Sequence, residues 1–411
     1  MVRVRGVFTY IIITFLMFGG ILFNFRNALA ADEFMSWGIE AMGLDKAISV
    51  IEEKGDAEHL LVAVIDTGVN EALFREYFPD RNLSGYCIVA CPDGMVDNVN
   101  HGTHVISTIA EGTPSNVDLL MIRVSEGRTF TIGDLRAAMD YAVSQGANVI
   151  LVSAGMSLDF DDETAFNEEY TWGEINNMIW EAMQGKVDEA VDAGAIVVSV
   201  AGDNGANEVF YPASYDNAIS VGAVSEGLSI ADFSNYNEYV DYVAPGMRIR
   251  GLNASYGAEG QDITTLDQGT SSAAAHVVAA IANILSFNKN LTLDEMRALL
   301  NSKAVDLGEE GRDDYYGNGF IDFSEVEFCT EEVECDEYGV FALIPDEPEP
   351  DEEEDVPVVP NTGDGGINAP DTGYVTKPEE GGATMVLLAG WQIYVLVGVG
   401  LWWVRKKPFV V

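Results

Sequence analysis

Positive charge, histidine and cysteine are all scarce in this chain. Its 411 residues hold 21 Lys and Arg against 67 Asp and Glu, four His and four Cys, for a formal net charge of −46. So few cations cannot neutralise a run of phosphates, which argues against nucleic acid as a partner. Four cysteines leave room for no more than two cross-links. No internal repeat of solenoid period is present, which removes the repeat architectures. The chain does not lack apolar residues, which make up 48% of it, so a sizeable core is within reach and disorder is excluded as the general state. The excess acid is read as solvation, for solubility or for life in high salt, with attraction of basic substrates as the competing role.

The longest apolar runs lie at the two ends. Residues 1–30 read as an export signal: Arg3 and Arg5, an apolar run from Val7 to Phe23, then Ala28-Leu29-Ala30 ahead of Ala31. An uncleaved membrane anchor is the alternative, since the run is long and Arg26 interrupts the approach to the cleavage site. Near the other end, residues 383–404 are apolar for about 22 residues, enough for a membrane-crossing helix at roughly 1.5 Å per residue. Arg405, Lys406 and Lys407 open a basic tail, 405–411, which favours the cytoplasmic side and puts the preceding residues outside. The two ends agree on an exported body held at the outer cell surface.

Between them, residues 31–340 are expected to form one α/β domain. Apolar or β-branched runs at Leu61–Ile65, Leu119–Val124, Val149–Ser153, Ile196–Val200 and Ile219–Val224 alternate with helical patterns. The clearest helices are Ile132–Ser144, Trp172–Ala193, Ser271–Leu285 and Leu293–Ser302. Such alternation predicts a mostly parallel sheet with helices on both faces. The acidic stretch Leu158–Trp172 interrupts it and reads as an inserted surface loop. Residues 341–382 are a linker rich in acid, Pro and Gly that cannot bury a core.

Three short segments carry chemistry. Val62-Ala63-Val64-Ile65-Asp66 is a buried-strand pattern ending in a carboxylate, where a parallel sheet presents functional groups. His101-Gly102-Thr103-His104 offers an imidazole, and Gly269-Thr270-Ser271-Ser272-Ala273 places a serine at the start of an Ala-rich helix. A serine hydroxyl needs a neighbouring base to lose its proton, and a base needs a carboxylate to fix its tautomer. Each segment alone says little.

In the order Asp66, His101, Ser271, the three segments resemble the subtilase family of serine proteases, from about Trp37 to Val326. Smaller signatures occur in sequence as well: Ala201-Gly202, Tyr211-Pro212-Ala213, Val221-Gly222-Ala223-Val224, Phe233-Ser234-Asn235 and Val243-Ala244-Pro245-Gly246. The resemblance implies a subtilisin-like three-layer fold and an endopeptidase with protein or peptide substrates, acting through an acyl-enzyme. No cofactor is required for the chemistry. It implies Asp66, His101 and Ser271 as the catalytic triad, the Ser271 N–H as one oxyanion donor, and Ser153-Ala154-Gly155 as the edge that pairs with substrate.

The chain departs from the family at the second oxyanion donor. Relatives usually have Asn directly after Ala-Gly, and here Asp203 stands there, followed by Asn204. An ionised carboxylate cannot donate to an oxyanion. Either Asp203 is protonated, or Asn204 substitutes for it, or the enzyme is slow. If protonated Asp203 donates, activity is expected to rise on mild acidification until His101 is protonated. A further departure is that only about 30 residues separate Ala31 from the Asp66 strand, so no separate folding domain is expected there. Ala275 replaces a usual Pro. The rival reading is a catalytically silent subtilase fold used as a binding or structural module.

Cys87 with Cys91 and Cys329 with Cys335 are the expected disulfides. A zinc site from Cys87, Cys91, His101 and His104 competes, against the need for His101 in the triad. His104 and His276 are expected to pack or hydrogen-bond, and His59 to lie at the surface. The segment Asp314–Glu325 partly fits a calcium loop, but Tyr316 occupies a ligand place, so a structural turn is expected. Structural calcium elsewhere is a family expectation with no readable ligand set. Finally, Val359-Pro360-Asn361-Thr362-Gly363 and Ala369-Pro370-Asp371-Thr372-Gly373 precede the apolar span and basic tail. That layout resembles a sorting signal for a sortase-like transpeptidase, with a flexible linker as the alternative.

Overall fold

The computed structural model describes residues 36–343, except 56, 126, 128, 159–161, 166–169, 259 and 331–332. The export signal, the sorting-like motifs, the apolar span and the basic tail lie outside the described residues.

In chain order the strands of the main sheet are β1 (Leu60–Asp66), β2 (Leu83–Cys87), β3 (Val117–Arg123), β4 (Val149–Val152), β5 (Ile196–Val200), β6 (Ala218–Val224) and β7 (Tyr242–Pro245). A separate antiparallel pair, β8 (Ile249–Leu252) and β9 (Thr264–Asp267), follows, and then β10 (Ala304–Val305) and β11 (Phe320–Ile321) return to the main sheet. The 9-stranded order is β10-β11-β7-β6-β5-β4-β1-β3-β2, parallel throughout except for β10 against β11.

The apolar runs are continuous because the sheet is covered on both faces. Along β1, Val62 and Val64 enter one core layer while Ala63 and Ile65 enter the other. The first layer is built around α7 (Thr270–Phe287), which packs with α4 (Gly102–Glu111) under β4, β5, β6 and β7. The second holds α5 (Ile132–Ser144) and α6 (Trp172–Asp192). The short helices α1 (Trp37–Ala41) and α2 (Leu44–Lys54) join the α7 side, α3 (Glu71–Tyr77) follows β1, and α8 (Leu293–Ser302) follows α7. This is the mostly parallel, helix-covered sheet expected from the sequence.

By length and composition α7 is apolar enough to cross a membrane, yet 94% of it is buried inside the protein. Its hydrophobicity serves the core. Truncating one of its fully buried branched residues, such as Ile281, removes packing worth about 2–5 kcal/mol. Capping boxes start α5 (Thr131 with Asp134), α6 (Thr171 with Glu174) and α8 (Thr292 with Glu295), each satisfying donors that the first helical turn leaves unpaired. The acidic excursion after Leu158 therefore ends as the cap of α6.

β1 sits where the strand order reverses, with β3 on one side and β4 on the other. In open parallel sheets, the crevice beyond the carboxyl ends of strands at such a point is where ligands bind. Asp66 ends β1 and Ser153 follows β4 at that edge.

Candidate active site

Asp66 is fully buried, and its Oδ1 accepts from the Thr67 N–H at 2.6 Å. The same oxygen lies 2.8 Å from His101 Nδ1, and His101 Nε2 lies 3.0 Å from Ser271 Oγ. His101 and Ser271 are 7% and 8% exposed, so the line of three groups is sealed at its Asp66 end and reaches solvent through the other two.

Local structure holds each member. His101 immediately precedes α4, whose first turn packs onto the turn after β1. A Cβ at Gly102 would stand 2.3 Å from the Gly68 carbonyl oxygen and 3.0 Å from Asp66 Oδ1, so only glycine permits this approach. Asp97 ties the same region together. Its Oδ1 accepts from Thr67 Oγ1, Val99 N and Asn100 N, each at 3.0 Å, and its Oδ2 accepts from Thr103 N at 2.8 Å. Thr67 Oγ1 in turn accepts from Gly102 N at 3.0 Å. A carboxylate at the start of α4 also complements the positive end of the helix. Asp97 and Thr67 were not singled out from the sequence; an acidic residue four places before His101 was the available signal.

Ser271 lies in the first turn of α7, where an N–H has no carbonyl one turn back to pair with. A Cβ on Gly269 would come 3.0 Å from Ser271 Oγ and 3.1 Å from Asp203 Oδ2. The glycine thus leaves open the space that both oxygens border.

Asp203 is anchored by one oxygen. Its Oδ1 accepts from Thr270 N at 2.8 Å and from Thr270 Oγ1 at 2.9 Å, while Thr270 Oγ1 accepts from Gly202 N at 3.3 Å. Oδ2 remains toward the space beside Gly269. Burial raises the Asp203 carboxyl above the usual range, against the Thr270 hydrogen bonds and the charge of His101. Thr270 is a third residue not singled out from the sequence. Asn204, the alternative donor, does not reach this space: its Nδ2 donates to Glu208 Oε2 at 2.6 Å, and its backbone N–H donates to Asn235 Oδ1 at 2.9 Å. Asn235 and Glu208 thus hold its backbone and its side chain.

Electrostatics around His101 are one-sided. Burial opposes the imidazolium, but the charge and hydrogen bond of Asp66 outweigh it, with Asp267 and Asp97 adding to them. The net effect pushes His101 up to about 9.

Ser153 borders the same small cavity as Asp203, Thr270 and Ser271. Ala154 and Gly155 follow it, both buried, and Met156 pairs with Tyr211 through two backbone hydrogen bonds of 2.8 Å. The other histidines lie apart from the chemistry. His104 Nε2 contacts the Ile249 carbonyl at 2.9 Å, His276 Nδ1 contacts the Ser272 carbonyl at 2.8 Å, and His59 is exposed. Burial depresses His104 and takes His276 down to about 4.

Cys87 is bonded to Cys91, and Cys329 to Cys335, so the first pair supplies no thiolates to zinc. The segment Asp314–Glu325 forms a turn in which Gly317 and Gly319 adopt positive φ before β11. Among the described residues, no three His, Cys, Asp or Glu side chains converge as metal ligands.

Residues 57–319 match the Subtilase family, Peptidase S8. The chain belongs to the subtilase family. Subtilisin DY of Bacillus licheniformis is 29% identical over 291 residues, covering 68% of this chain and 94% of that protein. A cold-adapted subtilisin-like serine proteinase of known structure is 27% identical with a TM-score of 0.52, covering 65% of this chain and 88% of its own. A lanthipeptide protease shares the fold at a TM-score of 0.59 and 20% identity, over 69% of this chain and 91% of its own. The subtilase chain is accordingly a subtilisin-like serine endopeptidase with a subtilisin-like α/β fold.

Proposed function

We propose that Asp66, His101 and Ser271 are the catalytic triad of an exported, surface-anchored endopeptidase. The observation that carries this reading is the unbroken line of contacts, 2.8 Å from Asp66 to His101 and 3.0 Å from His101 to Ser271. With His101 neutral, Nδ1–H donates to Asp66 and Nε2 accepts from the Ser271 hydroxyl. Ser271 Oγ then attacks the peptide carbonyl carbon as its proton passes to Nε2. The C–N bond breaks with that proton delivered to the leaving amine. A water, deprotonated by the same Nε2, attacks the acyl-enzyme and releases the new carboxylate together with Ser271.

Charge on the tetrahedral oxygen is met by the Ser271 N–H and by Asp203. For Asp203 to donate, Oδ2 must carry a proton, and two features support this. Oδ1 is already occupied by both Thr270 donors, and burial favours the neutral acid. Ser153, Ala154 and Gly155 would offer backbone groups to an extended substrate beside this site.

Placement at the cell surface rests on the sequence: residues 1–30 for export, 383–404 for the membrane, and the Thr362-Gly363 and Thr372-Gly373 bonds as sites for a sortase-like transpeptidase. Surface biotinylation of intact cells, with mass analysis of envelope-released fragments, tests that part. The triad is tested by a fluorophosphonate probe on the full chain. Labelling is expected on Ser271 and absent in Ser271→Ala. A folded protein that stays unlabelled from acidic to alkaline pH would overturn the triad.

A further inference from the structure

The cavity bordered by Ser271 and Asp203 is nearly full, and what fills it is a side chain from outside the three catalytic segments. Its walls are Ser153, Val200, Gly202, Thr270 and the two reacting residues, and its remaining side is Phe210. Phe210 is 3% exposed. Its ring edge lies against Gly155, where a Cβ would meet Phe210 Cε1 at 2.5 Å, and its Cγ would stand 3.1 Å from a Cβ on Gly202. The ring therefore spans the slot between the segment after β4 and the segment after β5. About 10 Å³ remains free, room for a single water or a methyl-sized group.

The position of that slot says which substrate group must use it. When Ser271 attacks a carbonyl and Asp203 faces the developing oxyanion, the side chain one bond from that carbonyl carbon is the one that reaches a cavity walled by both residues. We infer that Phe210 is a specificity-determining residue that closes this cavity, so that the protease cleaves after Gly or Ala and rejects larger side chains. The inference rests on the triad reading above. Phe210 is well placed to be rigid: its carbonyl accepts from Ser214 N and Oγ at 3.0 and 3.1 Å, and the next residue is clamped by the two Met156–Tyr211 bonds. Overfilled packed sites yield little, and each extra methylene carries a penalty of about tenfold or more.

The test is a set of internally quenched peptides differing only at the residue before the cut, assayed with the full chain and with Phe210→Ala and Phe210→Leu. Fluorophosphonate titration gives the active fraction of each protein. For the parent, kcat/KM is expected to fall about 10²-fold or more from Ala to Leu or Phe at that position. In Phe210→Ala the Leu/Ala and Phe/Ala ratios are expected to rise at least tenfold, with Phe210→Leu in between. A labelled parent that cleaves Phe or Leu peptides as well as Ala peptides overturns the inference and leaves the triad standing. So does an unchanged ratio in labelled Phe210 variants. Should Phe210→Ala not fold, the parent profile and Phe210→Leu decide. Absence of labelling in the parent overturns the triad and this inference with it.

Discussion

Replacing Asp203 by Asn is the sharpest probe of the oxyanion site. The Asn side chain can keep its oxygen where Oδ1 now accepts from Thr270 N and Oγ1, which leaves its NH₂ in place of Oδ2 beside Gly269. A donor that depends on a proton becomes a permanent one. In the parent, turnover requires His101 neutral and Asp203 protonated together. The charge of Asp66 pushes His101 up to about 9, so the free base is the minor form at neutral pH. Asp203, although raised, must hold its proton while His101 lacks one. Between the two pKa values the active form is a minor proton isomer of fixed population, so parent kcat/KM is flat there. The rise on mild acidification expected from the sequence is the competing profile for the parent, and the parent's initial rates distinguish the two. Asp203→Asn escapes the second requirement, and its kcat/KM should climb with pH until His101 is free. The ratio of variant to parent should be near constant below the Asp203 pKa and rise about tenfold per pH unit above it. Its ceiling is the worth of one oxyanion donor, about 10²–10³. Initial rates on one peptide from pH 4 to 10, normalised by fluorophosphonate titration, measure that ratio. A ratio independent of pH, or below one throughout, would refute a protonated Asp203 as donor.

Two further predictions concern the Asp66–His101 pair. Asp66→Asn should lower kcat by about 10⁴ and move the His101 titration, followed by NMR, down from about 9, because burial remains while the opposing charge is gone. An unmoved titration would contradict the electrostatic account. The stability link has a definite sign: a folded pKa above the unfolded 6.5 stabilises fully below 6.5, and that contribution is lost as pH rises through about 9. Denaturant midpoints at pH 6 and pH 9 should therefore differ more in the parent than in Asp66→Asn. Gly102→Ala forces a methyl against the Gly68 carbonyl and Asp66 Oδ1, so it should destabilise by about 1–3 kcal/mol and lower kcat; a variant with parental stability and activity would show that α4 can shift at no cost.

The parts of this molecule that were readable in its sequence are those whose causes are local. β1, β3, β4, β5 and β6 stand out because strands buried on both faces must be apolar without interruption. The boundaries of α5 and α8 follow from Thr131 with Asp134 and Thr292 with Glu295, caps written into four consecutive residues. The β8–β9 pair was not anticipated: β9 is short, half-exposed and polar, so no apolar run marks it. Site residues divide in the same way. Asp66, His101 and Ser271 each sit in a recognisable local pattern, whereas Thr270 and Phe210 owe their roles to residues outside their own segments. Thr270 matters because it meets Asp203, and Phe210 because it lies between Gly155 and Gly202. A phenylalanine before Tyr211-Pro212 carries no sign of its own that it closes a cavity at Ser271. The same fold with a smaller residue there would present an open slot, so the chemistry of this protease is written in short motifs, while its choice of substrate depends on a contact that exists only after the sheet has formed.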